Sequence, residues 1–438
     1  MSWFRNAGGD TRHRTLPRSL GHRRFPVLLV LATLALVPLV RSEDAHALIT
    51  AQQADVNRDG KANVLDLVLT AQGHPNGDVN GDTRVNTMDL AAIGAYIRSL
   101  MPPPPVATRD KYRQPFASNS IWNMPIGSSA LYQPANIKDW SGWGVFLEEI
   151  YIIHRPNAPL QPVYWSADRW SGGSRCTPST GEIQYWAPLP DDFYIAAATP
   201  SDTPNNPSGI LTADGNSYLQ SQPLTRCPGS SYTTGFQGPT VSLYGDGRLG
   251  SQGGSHLSAV GGTIRRGEFA AGKIPHALKT VLHPSNLSAT AGPGCTNPGC
   301  RWPATSSDCG STACGYTGTN PGVKMGSLLA LPPTYNCSSL RTVPGRVVCE
   351  ALRDYGTYVV DTGWGPAYLP AERGPDGTVE AEFQSLYGYP MKQSSMSHPW
   401  SQDWKQLVLA LQVVDNNSAT TIGGGGTPRQ PLAPPIAN

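Results

Sequence analysis

The chain carries one short acidic pattern twice. The first copy is Asp55-Val56-Asn57-Arg58-Asp59-Gly60-Lys61-Ala62-Asn63-Val64-Leu65-Asp66. The second, Asp78-Val79-Asn80-Gly81-Asp82-Thr83-Arg84-Val85-Asn86-Thr87-Met88-Asp89, starts 23 residues later. Oxygen-bearing side chains stand at the first, third, fifth, ninth and twelfth places of both. Alternate oxygens on a turning chain suit a hard cation, and this is the ligand spacing of an EF-hand-type calcium loop. The expected ligands are Asp55, Asn57, Asp59, Asn63 and Asp66 in one loop, and Asp78, Asn80, Asp82, Asn86 and Asp89 in the other. Lys61 and Arg84 add backbone carbonyls at the seventh place, and Ca2+ is the expected cofactor. An apolar helical stretch follows each loop (Leu67-Val68-Leu69; residues 90–100). The sixth place turns with positive φ. Gly60 suits it, but Thr83 is β-branched, so the second loop is expected to be strained and to bind calcium more weakly.

Residues 1–47 read as an export signal: seven Arg, an apolar run over 26–40, and Ala45-His46-Ala47 as a small-x-small cleavage site. The apolar run is short for a membrane span, so no span is expected once the signal is removed. The signal's net +4 exceeds the chain's formal +2, leaving the mature part at −2. With no Lys/Arg cluster, this balance argues against nucleic-acid binding. All eight Cys lie between Cys176 and Cys349. In an exported chain an even number reads as disulfides. Cys295/Cys300, Cys309/Cys314 and Cys337/Cys349 are the local pairs, leaving Cys176 with Cys227. Zinc held by Cys295, Cys300, Cys309 and Cys314 is the rival reading.

The prolines after Met101 make a stiff spacer that ends the preceding helix. The expected organisation is a signal over 1–47, a calcium module over 48–101, a proline linker over 102–106, a large domain over 107–415 and a disordered tail over 416–438. In the large domain the apolar signal is mostly period two or short runs. Residues 144–154, 162–166, 182–186, 193–198, 240–244, 262–269, 276–282, 326–331 and 357–361 read as strands. Residues 344–355 and 400–414 read as helices. The expected fold is multidomain: a small all-α module plus a large mainly-β domain, a β-sandwich or jelly roll with a few helices.

The densest polar stretch on these strands is 241–282. Alternation places Ile264, Arg266 and Glu268 on one face, and His276 with Leu278 and Leu282. Glu268 and His276 are the candidate acid and base, with Arg265 beside them. The structural alternative is an internal Glu–Arg ion pair and a half-buried His. A glycosidase needs a second carboxylate, for which Asp246, Asp361, Glu148 and Asp192 all qualify. A polysaccharide lyase would use His276 as base, with Arg265 or Arg301 holding a uronate carboxylate. The run Gly253-Gly254-Ser255-His256 either lets backbone approach a ligand or only turns. Trp170, Trp186 and Trp364, among others in loop-rich stretches, offer flat faces for sugar rings. No nucleotide-binding glycine loop, His-Glu-x-x-His helix or Gly-x-Ser-x-Gly elbow is present.

The doubled loop resembles a type I dockerin domain. The family ends its loops in Asp, as Asp66 and Asp89 do. The tenth and eleventh places, Val64-Leu65 and Thr87-Met88, match the family's contacts to a cohesin partner. The resemblance covers residues 55–100. It implies a secreted, extracellular or cell-surface-attached protein docked to a cohesin-bearing scaffold, with a polysaccharide as substrate of the large domain. The function it implies is a carbohydrate-active enzyme in polysaccharide degradation, hydrolysing O-glycosyl bonds. A lyase and a non-catalytic carbohydrate-binding module are the alternatives. Residues 261–282, Arg301-Trp302-Pro303-Ala304 and residues 355–363 resemble a group of secreted bacterial β-rich proteins of no assigned activity.

Overall fold

The structure, a computed structural model, describes residues 49–100, 108–309 and 314–437. The expected export signal and proline linker lie outside the described residues. The chain divides into two compact units between Pro105 and Val106. No helix among the described residues is long and apolar enough to cross a membrane.

In the first unit, α1 (Ala51–Ala54), α2 (Val64–Ala71) and α3 (Thr87–Leu100) follow one another. Asn63 caps α2: its side chain accepts from Leu65 N while Asp66, at the third helical position, accepts from Asn63 N. The second loop repeats the device, Asn86 accepting from Met88 N and Asp89 from Asn86 N. Val56, Leu67, Val79 and Ile93 form a small buried core.

The second unit is mostly sheet. Its strands are β1 (Tyr132–Pro134), β2 (Phe146–Ile153), β3 (Leu160–Trp165), β4 (Ile183–Pro188), β5 (Ser208–Leu211), β6 (Ser217–Ser221), β7 (Tyr232–Thr234), β8 (Val241–Ser242), β9 (Leu249–Gln252), β10 (Leu278–Leu282), β11 (Leu328–Ala330), β12 (Thr357–Thr362), β13 (Ala367–Gly374), β14 (Gly377–Thr378) and β15 (Gln412–Val414). Its helices are α4 (Glu268–Ala271), α5 (Val343–Asp354), α6 (Val379–Tyr387) and α7 (Pro399–Leu409). One large sheet runs β1-β15-β11-β12-β10-β13-β2-β5-β6-β8, with β14 on β13, and a second is β4-β3-β7.

Both faces of the large sheet are covered. On β2, Ile150 and Ile152 face one apolar cluster, Tyr151 and Ile153 another. On β12, Tyr358 and Val360 face one and Val359 the other. Burial on both sides explains why these strands read as continuous apolar runs. Each fully buried Val, Leu or Ile contributes about 1.5–3 kcal/mol. The helices α5 and α7 cover one face: Val347, Val348, Leu352, Trp400, Trp404 and Leu407 are buried there. Thr342 caps α5 and Pro344 sits in its first turn; His398 caps α7 at Pro399.

Several expectations are corrected. A jelly roll is antiparallel, whereas β2 runs parallel to β13 and to β5, and β10 runs parallel to β12. Parallel neighbours need long crossovers, and the β2-to-β5 connection contains β3 and β4. Residues 262–269 are not a strand: Ile264 makes a single bridge to Ala371, and Glu268 starts α4 after Gly267 at φ +90°. Residues 193–198 make one bridge, Ile195 to Arg226. The second predicted helix ends at Leu409, and Gln412–Val414 is strand. Residues 416–437 are not disordered. Arg109 donates to Pro434 O, Ser118 to Ala433 O, and Arg429 N to Ile126 O.

Candidate functional site

In the first loop Asp55 accepts from Asp59 N and Gly60 N, Asn57 from Asp59 N, and Asp59 from Lys61 N. The second repeats this: Asp78 accepts from Asp82 N and Thr83 N, Asn80 from Asp82 N, Asp82 from Arg84 N. These turns aim the side-chain oxygens inward. Asp66 and Asp89 are fully buried at the last place, and each also accepts backbone N–H groups from its loop's start. Oxygens of Asp78, Asp82 and Asp89 lie within 4.8 Å of one another. Three carboxylates that close, one of them buried, fit a divalent cation of the calcium type. Positive φ occurs at two places per loop: Arg58 (+59°) and Gly60 (+86°), then Gly81 (+79°) and Thr83 (+69°). Thr83 does occupy the unfavourable region.

In the large domain the structure brings Glu268, His276 and Arg265 together. His276 Nε2 lies 2.9 Å from Glu268 Oε1, off the line of a good hydrogen bond. Arg265 N donates to Glu268 Oε2, and its guanidinium pairs with Glu372 at 2.9 Å. Burial disfavours the His276 cation, but the Glu268 carboxylate outweighs burial and raises its pKa. Glu268, His276 and Arg265 are 8 %, 5 % and 3 % exposed, and the void beside His276 and Arg265 is about 10 Å³. That is roughly the space of one water, and a sugar ring does not fit. The trio is an internal ion-pair network.

A second acidic group, Glu148 and Asp361, is buried to a similar degree, 9 % and 5 % exposed, but its two carboxyls share one amide rather than an ion pair. Because β12 runs antiparallel to β2 across β10 and β13, the end of β12 and the start of β2 lie at one end of the sheet. Asp361 sits at that end of β12 and Glu148 at that end of β2. Asn205 Nδ2 donates to Glu148 Oε1 at 3.0 Å and to Asp361 Oδ2 at 2.7 Å. Those oxygens are therefore no further apart than the two contacts laid end to end. Gln252 Nε2 donates to Glu148 Oε2 at 2.8 Å, and Lys279 Nζ to Gln252 Oε1 at 2.7 Å. Thr362 N and Gly254 N donate to Asp361 Oδ1. A Cβ at Gly253, whose φ is +52°, would overlap the Asp361 carboxylate, and one at Gly254 would overlap Asp308. The glycine loop thus brings backbone against two acids.

Burial raises the Asp361 pKa well above the usual carboxylate range, reinforced by Glu148 and then Asp308. Burial also raises Glu148, against the donors Asn205 and Gln252 and the charge of Lys279. Lys279 is lowered to about 7 by burial, against the pull of Glu148. The two acids are themselves buried, and aromatic side chains flank the segments around them. Trp170 Nε1 donates to Asn205 Oδ1 at 3.1 Å, Trp364 is 90 % exposed, and His256 stacks on Phe236 at 4.9 Å. Asp308 stands exposed beside Thr362 and accepts from Tyr316.

A cleft of about 510 Å³ elsewhere in the domain has Asp415 as its one lining acid, so it supplies no acid pair. Asp246 and Asp192, also weighed as partners for Glu268, have no part in the Glu148–Asp361 group, which lacks Glu268 itself. The sequence does not single out Asn205, and Lys279 stands in it only as part of the polar stretch 241–282, with no role. Asn205 lies in Pro204-Asn205-Asn206-Pro207, where two prolines restrict the backbone. Comparison with family models, curated proteins and solved structures gives no match.

Proposed function

We propose that the chain is a secreted, dockerin-bearing carbohydrate-active enzyme that hydrolyses O-glycosyl bonds, with Glu148 and Asp361 as its carboxyl pair. The observation that carries this reading is the single Asn205 amide bridging two buried carboxyls, with the half-exposed Trp170 hydrogen-bonded to that same Asn205. A retaining glycosidase holds its carboxyls ~5–5.5 Å apart, an inverting one ~6.5–9.5 Å. The Asn205 bridge favours the shorter separation. Asp361, facing the charges of both Glu148 and Asp308, suits the acid; Glu148, joined through Gln252 to Lys279, suits the nucleophile. Glu148 forms a bond to the anomeric carbon as the glycosidic C–O bond breaks, and Asp361 gives its proton to the departing oxygen. Water then cleaves the glycosyl ester, losing a proton to the Asp361 carboxylate. The incoming glycan takes the place of the Asn205 amide between the acids. Trp364 and Trp170 offer their faces to adjoining rings.

Hydrolysis is favoured over lyase chemistry because the exposed charge at the pair is acidic Asp308, which repels a uronate. Calcium would be held in the small module by the two ligand sets named above, supplying charge that closes each loop. Val64, Leu65 and Met88 are each about half exposed, as a cohesin-contacting role needs. The hydrolase reading is tested by incubating the chain with fluorinated glycosyl inactivators and mapping the ester by mass spectrometry. An adduct on Glu148 supports it; an adduct on another carboxylate overturns the assignment.

A further inference from the structure

The buried cation behind the acid pair is placed to decide which acid is ionised. Lys279 is fully buried on β10. Its Nζ donates to Gln252 Oε1 and Ala259 O at 2.7 Å and to Ser258 O at 3.3 Å. Three acceptors match the three N–H bonds of an ammonium. With its oxygen taken by Lys279, the Gln252 amide can present only N–H to Glu148, and it does so at 2.8 Å. A fixed N–H donor favours the ionised carboxylate, here opposing the burial that raises Glu148. Asp361 also receives fixed N–H donors, from Thr362 and Gly254, but no hydrogen-bonded path joins it to the cation, and the neighbouring acids Glu148 and Asp308 oppose its ionisation.

We propose that Lys279 is a positioning residue: by fixing the Gln252 amide it keeps Glu148 as the ionised member of the pair and leaves the proton on Asp361. The inference rests on the hydrolase reading for its purpose but not for its test. The titratable groups facing the relay are Glu148, Asp361, Arg265 and Asp308, with Tyr316 and Tyr368 behind them. Lowering of Lys279 to about 7 places the loss of its charge within the range of the measurement.

The experiment uses the full chain with ¹³C-labelled Glu and Asp carboxyls, titrated by NMR without substrate, the signals assigned with Glu148→Gln and Asp361→Asn. In the wild type Glu148 is expected to ionise before Asp361. Lys279→Met removes the charge and frees the amide, and the proton affinity of Glu148 should rise at least about tenfold, one unit of midpoint. Gln252→Glu keeps the lysine paired but offers no N–H, and should move Glu148 in the same direction; it carries the test where Lys279→Met does not fold. Wild-type Asp361 ionising first, or a Glu148 midpoint unmoved in a folded variant, overturns the relay. A chain with this order of ionisation but no glycan cleavage keeps the relay and loses the hydrolase reading.

Discussion

Thr83→Gly isolates the strain in the second calcium loop. Thr83 sits at φ +69°, where the first loop has Gly60 at +86°. A left-handed L-residue costs about 1–2 kcal/mol, and glycine returns about 0.4–1 kcal/mol through the freedom of the open chain. Thr83 is exposed, so its side chain contributes no core packing. The Thr83 N–H that donates to Asp78 Oδ2 at 2.8 Å survives the change. The net relief is about 0.5–1 kcal/mol, which calcium binding recovers as the loop closes: a two- to five-fold tightening, roughly. Calorimetric titration of the full chain with calcium resolves the two sites. Tightening confined to the weaker site is the expected result. Unchanged or weaker binding there, with the first site unaltered, refutes the strain argument.

Three other outcomes follow from the same geometry. Asp89→Ala leaves the N–H groups of Val79, Asn80 and Asn86 without their acceptor; an orphaned buried donor costs about 1–3 kcal/mol, so circular dichroism should show a less stable module and calorimetry a lost site. Glu268→Gln should lower the thermal midpoint of the large domain while leaving turnover in the folded protein. A raised His276 pKa stabilises the fold fully below the ordinary His value and less as pH rises through the folded one, so the loss should be larger at pH 5 than at pH 9, with equal losses counting against it. Glu148→Gln and Asp361→Asn should each raise the thermal midpoint at pH 8. Their folded pKa values are raised, so the wild-type acids favour the fold at low pH and lose that contribution as pH rises; a gap that fails to close near pH 4 contradicts the assignment.

Local features were legible. The four cysteine pairs expected from spacing and elimination are the ones present: Cys176–Cys227, Cys295–Cys300, Cys309–Cys314 and Cys337–Cys349. They fit an exported protein, and no described cysteine is free. The helix predicted over 344–355 begins at Val343, because Thr342, Pro344 and Gly356 mark its ends locally. Long-range pairing was not legible. Glu148 and Asp361 belong to strands separated by two others, and only Asn205, from a third segment, joins them. Nothing near either acid in sequence signals the other. Glu268 misled because Ile264-Arg265-Arg266-Gly267-Glu268 alternates like a strand, while Gly267 in the left-handed region turns the chain into α4. The tail misled for a related reason. Glycines and prolines mark disorder by composition, but Gly423, Gly424, Gly425 and Gly426 all take positive φ. A Cβ at Gly424 would overlap Ala130, so glycine there permits close packing.

The central claim is that Glu148 and Asp361 together cleave glycosidic bonds. The direct measurement incubates the purified chain with calcium on a panel of neutral and acidic polysaccharides, beside Glu148→Gln and Asp361→Asn. New reducing ends and the ultraviolet absorbance of unsaturated uronates are followed together. The account predicts reducing ends from the wild type alone, without that absorbance. Reducing ends from both folded variants, or an unsaturated product from any of the chains, would contradict it.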